Sequence, residues 1–325
     1  MRTASDTKTD EAISITRPVF SGLSHVSIPC RDLEESKLFY ANVMGGQWWH
    51  EIGGFVEYRI ADLILGLSEQ SAGWTDPENE YPHYAFYLDG ANFELMKRWL
   101  DRHGVPNYPY RRDRTALNYF RDPSGNLFEL YCESGYEKLA SLPPAPRRAG
   151  KAIDFRALSY QWERNRVGKV TDDAQRPRFS GFAHASLYCR DLEQAKRFFT
   201  NVMGGELIHD VDGFAEVRIA GVIIGVTSRP GTTTGCGAEY PHYGFFVEAE
   251  DFLPMVAWLH SQGVMTSEPW TRDGIKGLLY FHDPSGNLFE VYCSKLAEAA
   301  LLPRGKKQGG SYEIDFTGLS YEWKG

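Results

Sequence analysis

A long internal repeat is the feature that most restricts how this chain can fold. The 26-residue segment that starts at Ser21 recurs from Ser180, with 16 of the 26 positions identical and an offset of 159 residues. Further along, EYPHYAFYL pairs with EYPHYGFFV, and DPSGNLFELYC pairs with DPSGNLFEVYC at an offset of 161. Two such copies predict two similar domains rather than one large domain.

The domain boundaries follow from where the similarity begins and ends. IDFRALSYQW closes the first copy, IDFTGLSYEW closes the second, and the segment between the copies is polar. We predict a polar N-terminal tail over residues 1–19, a first domain over 20–162, a linker over 163–178 and a second domain over 179–325.

The composition suits two globular cores and argues against several classes of partner. Of the 325 residues, 42% are hydrophobic and 14% aromatic, and the net charge of -8 comes from acids and bases that are mixed along the chain. We therefore expect no nucleic-acid partner. No apolar run approaches the roughly 20 residues that span a bilayer, and no apolar signal core begins the chain, so we expect no membrane partner and a cytoplasmic location.

Five cysteines without CxxC spacing predict reduced thiols, mostly in the core.

Each copy contains the same order of predicted elements twice. In the first copy, LSHVSIPC alternates like a strand, and RDLEESKLFYANVMGG predicts a helix with Asp32 and Glu35 at capping-box spacing. Short strands follow, and a second strand, helix and strands run from PHYAFYLDG to NLFELYC around the DPSGN turn. The sequence therefore predicts an α+β fold in which each domain is a pair of βαβββ modules.

Polar residues stand in three of these strands where an apolar residue would be ordinary. Alternation places His25 on the face opposite Val26 and Ile28, and it gives His83 and Glu129 similar positions in later strands. A carboxylate such as that of Glu129, between Phe and Leu, is costly to bury unless something pairs with it. Two imidazoles and a divalent cation would supply that pairing.

These motifs resemble those of the vicinal oxygen chelate (VOC) superfamily, which includes extradiol dioxygenases, glyoxalase I and bleomycin-resistance proteins. The resemblance is carried by the strand histidine before CRDLE, by the PHY strand and by YFxDPSGNxxExY, and it covers nearly the whole chain. It implies two tandem VOC domains, each a cupped mixed sheet with helices on its outer face. It also implies one metal site in each copy, with ligands His25, His83 and Glu129 in the first and His184, His242 and Glu290 in the second.

The resemblance also allows a check for a fourth ligand. The isomerases of the family add a carboxylate from the last strand of the first module, and this chain has Gly66 and Gly225 at that position. Three ligands on one face leave coordination positions open, as in non-haem Fe(II) oxygenases. Oxygen chemistry with Fe(II) is therefore favoured, with Mn(II) as the other metal that suits these ligands.

Catalytic roles can be carried over only in part. Tyr119 and Tyr280, ten positions before each glutamate, match the extradiol tyrosine that hydrogen-bonds the substrate oxygen, although both could instead be packing aromatics. The usual acid/base histidine about nine positions earlier is replaced by Tyr110 and Thr271.

Other residues remain candidates for contact with the substrate. His50 and His209, at equivalent places after the first helix of each copy, could transfer a proton instead, or could be structural. Arg59 and Arg218 could bind an anionic group or could be solvated edge residues. We also expect aromatic side chains on the cup walls: Trp48, Trp49, Trp74, Tyr108 and Trp270.

Three functions fit the sequence. The first is an Fe(II)-dependent extradiol-type dioxygenase acting on a small aromatic, catechol-like or other metal-chelating substrate with O2. The second is a metal-dependent isomerase, lyase or transferase, and the third is a metal-free protein that binds an aromatic ligand. The intact sets of ligands favour the first two, and we expect the chain to form a homo-oligomer.

Overall fold

A computed structural model describes residues 16–71, 78–145, 153–163, 176–228, 238–305 and 314–325. Trp74, Cys236 and most of the predicted tail and linker lie outside these ranges. The described cysteines are free and buried, as expected for core thiols: Cys30, Cys132, Cys189 and Cys293. In the described ranges, no helix has the length and apolar composition that a bilayer crossing requires.

The first copy contains the two predicted βαβββ modules. Asp32 caps the first helix as expected, because its Oδ1 accepts a hydrogen bond of 2.8 Å from the backbone N–H of Glu35. The first module comprises β1 (Gly22–Cys30), α1 (Leu33–Asn42), β2 (Gln47–Ile52), β3 (Phe55–Ile60) and β4 (Leu63–Glu69). The second comprises β5 (His83–Tyr87), α2 (Gly90–Arg102), β6 (Asn107–Arg112), β7 (Thr115–Arg121) and β8 (Leu127–Cys132).

The second copy repeats this order with one local difference. Its first helix ends in a π-helical turn over Phe198–Val202, and the strand that would match β6 is reduced to isolated bridges. Its first module comprises β9 (Gly181–Cys189), α3 (Leu192–Arg197), β10 (Glu206–Val211), β11 (Phe214–Ile219) and β12 (Val222–Ser228). Its second comprises β13 (His242–Phe246), α4 (Ala249–Ser261), β14 (Gly277–His282) and β15 (Leu288–Cys293).

The modules form two mixed sheets, but each sheet combines one module from each copy. The first sheet has the order β14-β15-β13-β1-β4-β3-β2, and the second has the order β10-β11-β12-β9-β5-β8-β7-β6. The joints are the antiparallel pairs β1–β13 and β5–β9. The α+β class and the βαβββ modules are confirmed, whereas the expectation that both modules of one copy share a sheet is wrong.

The strands at the edges of the individual modules are nearly identical in the two copies, which explains why the sequence could not distinguish these pairings. The strand β5 reads HYAFY and β13 reads HYGFF, while β1 and β9 share their histidine and the alternation around it. Either partner would therefore bury nearly the same side chains, and the pattern of apolar residues does not choose between them.

The apolar faces of both sheets meet in one core. Val26 and Ile28 of β1 are fully buried there, and so are Phe128 of β8 and Phe289 of β15, so this cluster extends through both copies. The opposite face of each sheet carries the histidines and glutamates. The fold therefore separates an apolar core from two polar cups.

The DPSGN turns anchor the strands that carry the glutamates. Asn126 donates from Nδ2 to the carbonyl oxygen of Pro29 in β1 at 2.9 Å and to Asp122 at 2.8 Å. Asp122 also accepts a 2.7 Å hydrogen bond from the hydroxyl of Tyr40. This buried network fixes the start of β8 relative to β1 and thereby the position of Glu129.

We predict that Asn126→Ala lowers the free energy of unfolding by about 1–3 kcal/mol, because it leaves the buried carbonyl of Pro29 without this donor and removes one of the donors to the buried Asp122 carboxylate. Denaturant unfolding measures this change. Asn287→Ala, which removes the matching bonds to Tyr188 and Asp283, should have a similar effect. An unchanged midpoint for both variants would contradict the anchoring role.

Candidate metal centres and substrate cavity

The six predicted ligands form two groups, and each group contains residues of both copies. His25 lies with His242 and Glu290, and His83 lies with His184 and Glu129; in each group the ligand atoms are within 4.8 Å of one another. The predicted grouping by copy is therefore wrong, although the six residues do gather in two sets of three. We refer to these sets as the Glu290 centre and the Glu129 centre.

Strand register brings each group together. His25 of β1 is opposite Gly244 of β13, and Gly244 is in turn beside Glu290 of β15. At the other centre, Ala85 stands between His184 and Glu129 in the same way. The sheet joint between the copies therefore places one histidine of each centre.

The ligand atoms form compact triangles. At the Glu290 centre, the Nε2 atoms of His25 and His242 are 3.1 Å apart and lie 3.6 and 3.5 Å from Glu290 Oε2. At the Glu129 centre, the matching distances are 3.3 Å between His83 and His184, and 3.5 and 3.1 Å to Glu129 Oε2. Three atoms that share one ion at about 2.0–2.2 Å are separated by about 3.0–3.5 Å, so both triangles fit a metal ion.

The hydrogen bonds of the imidazoles leave their Nε2 atoms free to bind a metal. The Nδ1 atom of His242 is 2.8 Å from the carbonyl oxygen of Glu239, and that of His83 is 3.0 Å from the carbonyl of Glu80. A carbonyl only accepts, so each Nδ1 carries the proton and each Nε2 keeps its lone pair. Burial also lowers the pKa of His242 to about 4 against the opposing charge of Glu290, which keeps this ring neutral near pH 7.

Both glutamates are buried carboxylates in their charged form. Burial raises the pKa of Glu129, but its close contacts with His184 and His83 outweigh that effect and lower it. The pKa of Glu290 is lowered in the same way, with burial opposed chiefly by His25. No described group donates a hydrogen bond to Glu290 Oε1, although the atom is buried. A cation bound between the two imidazole nitrogens and the carboxylate oxygen of each triangle would compensate the buried negative charge.

Close packing explains why glycine stands at the position of the possible fourth ligand. A Cβ atom on Gly66 would lie 2.5 Å from Ser27 Oγ and 2.7 Å from Phe55 Cζ, and a Cβ on Gly225 would lie 2.7 Å from Ser186 Oγ. A carboxylate side chain does not fit there unless these neighbours move. Each centre thus offers three protein ligands.

The two predicted catalytic tyrosines lie directly beside the centres. The ring of Tyr119 is edge-on to His83 with centroids 5.4 Å apart, and Tyr280 has the same relation to His242. The closing segment of each copy holds them from behind, since Tyr119 packs on Phe155 and Tyr280 packs on Phe316 at 5.4 Å. Burial first, and then the nearby glutamate, raises the pKa of both phenols well above the usual value, so both remain hydrogen-bond donors.

The two candidate proton-transfer histidines lie farther out. His50 and His209 are exposed on β2 and β10. His50 nevertheless lines the same cavity as His25 and His242. The nearest aromatic neighbour recorded for His209 is Phe214, at 6.1 Å between ring centroids. Both assignments therefore remain predictions, with His50 the better placed.

Tyr110 and Thr271, which the sequence places at the same position of the two copies, do not correspond in the structure. Tyr110 is opposite Leu117, and Trp270 is opposite Leu278, which matches Leu117 in the repeat. The second copy has two extra residues in this region. Counting back nine positions from Tyr119 and Tyr280 therefore misaligns the two copies by one position. Tyr110 therefore corresponds to Trp270.

This exchange makes the two centres different. The hydroxyl of Tyr110 lies 3.4 Å from Glu129 Oε1 and can donate to it, whereas Trp270 leaves Glu290 Oε1 without a donor. Trp270 is fully buried and stacks on Tyr280 with centroids 6.3 Å apart. The chemistry of the two carboxylates is therefore not the same.

A cavity of about 690 Å³ lies in front of the Glu290 centre. It is lined by both copies, including Trp49 of β2 and Tyr280 of β14. The guanidinium of Arg59 also lines it and lies 4.2 Å from the centroid of Trp49, while its counterpart Arg218 pairs with Glu206 at 3.1 Å. Of the other aromatics expected on the cup walls, Trp48 is 61% exposed and Trp270 is in the core.

Sequence reasoning missed the residues that support the ligands. Glu80 accepts a hydrogen bond of 3.2 Å from the Tyr119 hydroxyl and also supports His83 through its carbonyl. The repeated EYPH motif, which supplies Glu239 in the second copy, was the available signal. Arg272, which lines the cavity, was also missed, because the two-residue shift hid its match to Arg112.

Comparison with known proteins gives one family and two kinds of relative. Residues 22–130 and 181–291 match the family described as Glyoxalase/Bleomycin resistance protein/Dioxygenase superfamily. The chain is 23% identical to the Catechol-2,3-dioxygenase of Bacillus subtilis over 251 residues, which cover 72% of this chain and 86% of that protein. It is 28% identical to the Glutathione transferase FosA of Serratia marcescens over 134 residues, which cover 39% of this chain and 92% of that protein.

Solved structures share the fold at low sequence identity. A Bacillus subtilis protein solved by crystallography has a TM-score of 0.63 at 18% identity, with 85% of this chain and 86% of that chain covered. A glyoxalase I variant from Zea mays has a TM-score of 0.58 at 15% identity, with 84% and 94% covered. These likenesses concern the fold alone.

We predict that Gly244→Ala lowers the affinity of the Glu290 centre for a divalent metal by at least about tenfold, a size typical of lost support around a metal ligand. The added Cβ would lie 2.5 Å from Cε1 of His25 and 3.0 Å from its Nε2, so the ring must move. Calorimetric titration of metal-free protein with Mn(II) measures the change. Ala85→Gly, at the matching position of the other centre, should bind as the unaltered chain does, and an unchanged affinity in Gly244→Ala would refute the prediction.

Proposed function

The chain belongs to the Glyoxalase/Bleomycin resistance protein/Dioxygenase superfamily, and on that premise we propose that it is an Fe(II)-dependent extradiol-type dioxygenase. The substrate is a small aromatic compound, catechol-like or otherwise able to chelate a metal, and the second substrate is O2. The metal ligands are His25, His242 and Glu290 at one centre. At the other they are His83, His184 and Glu129.

The observation that supports this proposal most is the open three-ligand face beside a large cavity. The ligand atoms of His25, His242 and Glu290 converge on one side, and Gly66, packed against Ser27, leaves no room for a fourth carboxylate. Such a face on a bound metal ion supplies adjacent coordination positions for an organic chelate and O2. Similarity to the Bacillus subtilis Catechol-2,3-dioxygenase over 72% of the chain supports the same reaction class.

Side chains of the protein orient the substrate and transfer its protons. Tyr280, held between His242 and Phe316, keeps its phenolic proton and can donate a hydrogen bond to a substrate oxygen. His50, on the exposed side of the cavity, is the residue from which a proton can be exchanged with water. The aromatic walls exclude water from the face of a flat ring.

A second candidate function has its own support. The chain is 28% identical to the Glutathione transferase FosA of Serratia marcescens and 27% identical to the Metallothiol transferase FosB of Staphylococcus saprophyticus. Each of these relatives matches about the length of one copy. A metal-dependent transferase would use the ion as a Lewis acid and would turn over without O2.

We predict that the anaerobically purified, Fe(II)-loaded chain consumes O2 with one or more members of a panel of catechols and hydroquinones. Glu290→Ala should lower the rate by at least about 100-fold, because loss of a ligand is at least as severe as loss of its supporting partners. Glu129→Ala is the matched variant at the other centre, and we expect a smaller loss because the cavity of about 690 Å³ lies at the Glu290 centre. An oxygen electrode measures both.

Two outcomes would count against the dioxygenase. Metal-loaded protein that consumes no O2 with any member of the panel would contradict it. Turnover of a thiol with an electrophile under strictly anaerobic conditions would instead favour the transferase.

A further inference from the structure

An arginine beside the Glu290 centre has a buried side-chain nitrogen that lacks a hydrogen-bond partner. Arg272 lines the cavity, and its buried Nε has no hydrogen-bond acceptor among the described residues. Among the described residues, Arg272 also forms no ion pair with a carboxylate. Burial opposes its charged form, but Glu290 and other nearby acidic groups outweigh this and raise its pKa, so Arg272 carries a full positive charge.

The other cations that line this cavity already have partners. Lys276 lies 3.4 Å from the carboxylate of Asp273, and Arg59 lies over the ring of Trp49. Arg272 differs from both, because among the described cations of the cavity it is the one with a buried nitrogen that lacks an acceptor. Burying a guanidinium nitrogen without an acceptor is costly, so an unpaired one at a cavity wall indicates an anionic ligand.

Two further buried atoms near Arg272 also lack partners. They are Glu290 Oε1 and Trp270 Nε1, and the guanidinium carbon of Arg272 is 6.0 Å from the centroid of the Trp270 ring. At the Glu129 centre the corresponding carboxylate oxygen has the Tyr110 hydroxyl at 3.4 Å. The Glu290 centre thus offers both a cation and an acceptor that the protein leaves unused.

We propose that the Glu290 centre binds an aromatic substrate that carries a carboxylate, and that Arg272 is the residue that binds this carboxylate. The planar fork of a guanidinium matches the two oxygens of a carboxylate, and such charge-assisted pairs are among the strongest hydrogen bonds in proteins. The aromatic part of the ligand is indicated by Phe55, Tyr240 and Tyr292 on the same cavity wall. The inference rests on the proposed function for the metal-chelating oxygens and adds the acidic substituent.

The test compares two probes that differ only in the carboxylate: 3,4-dihydroxybenzoate and catechol. Each is titrated by calorimetry, without O2, into the full-length chain loaded with Mn(II). We expect 3,4-dihydroxybenzoate to bind at least about tenfold more tightly than catechol, as one charge-assisted pair allows. Arg272→Gln should remove this preference, and Arg272→Lys should keep part of it.

A matched control lies at the other centre. Arg112 occupies the corresponding position beside Glu129 and does not line the cavity that Arg272 lines, so Arg112→Gln should leave the preference intact. Metal content and thermal unfolding show whether each variant is folded, and the comparison of probes on the unaltered chain needs no variant at all.

The proposal is wrong if the unaltered chain does not prefer 3,4-dihydroxybenzoate. It is equally wrong if the preference persists in Arg272→Gln, or if Arg112→Gln removes it to the same extent. Because binding is measured without O2, a failure of the dioxygenase assay would leave these outcomes readable, and the two proposals can fail separately.

Discussion

The antiparallel pairing of β1 with β13, and of β5 with β9, is the constraint on which the rest of the structure depends. These two joints connect the copies through backbone hydrogen bonds. Because His25 and His184 lie in the joining strands, neither centre is complete without both copies. The duplicated sequence therefore forms two composite sites, each built from residues of both copies.

The composite centres concentrate charge in an otherwise apolar environment. Glu129 and Glu290 are 3% and 1% exposed, and the Nε2 atoms of His184 and His242 lie 3.1 and 3.5 Å from their carboxylate oxygens. Such an arrangement is stable only if the geometry is well held, which the backbone carbonyls of Glu80 and Glu239 and the DPSGN turns provide. Some of the contacts that position these residues, such as the bonds of Asn126 to Pro29 and Asp122, therefore also stabilise the fold.

The two centres differ although each contains two histidines and one glutamate. Tyr110 can donate to Glu129, whereas Trp270 fills the same position beside Glu290 and leaves one carboxylate oxygen free. Arg59 covers Trp49, whereas its counterpart Arg218 pairs with Glu206. These differences concern the walls of the cups, where a change alters what a site can bind without disturbing its histidines and glutamate.

The sequence predicted the parts of this structure that depend on local patterns. Strand alternation placed His25 and Glu129 on a polar face, and the repeat identified the second set of ligands. It could not predict which edge strands pair, since β5 and β13 are nearly identical, so the ligands were grouped by copy. Nor could it match Tyr110 with Trp270 or find Arg272. The second copy has two extra residues and no regular strand there, so which residues correspond depends on strand register, which tertiary packing decides.

Metal content of two double variants tests the composite centres most directly. His25→Ala combined with Glu290→Ala alters one centre in our account, so the protein should keep one metal ion per chain. His25→Ala combined with Glu129→Ala alters both, and we expect no tightly bound metal. The reverse result, with metal lost in the first double variant and one ion kept in the second, would show that each copy builds its own site and would contradict the account.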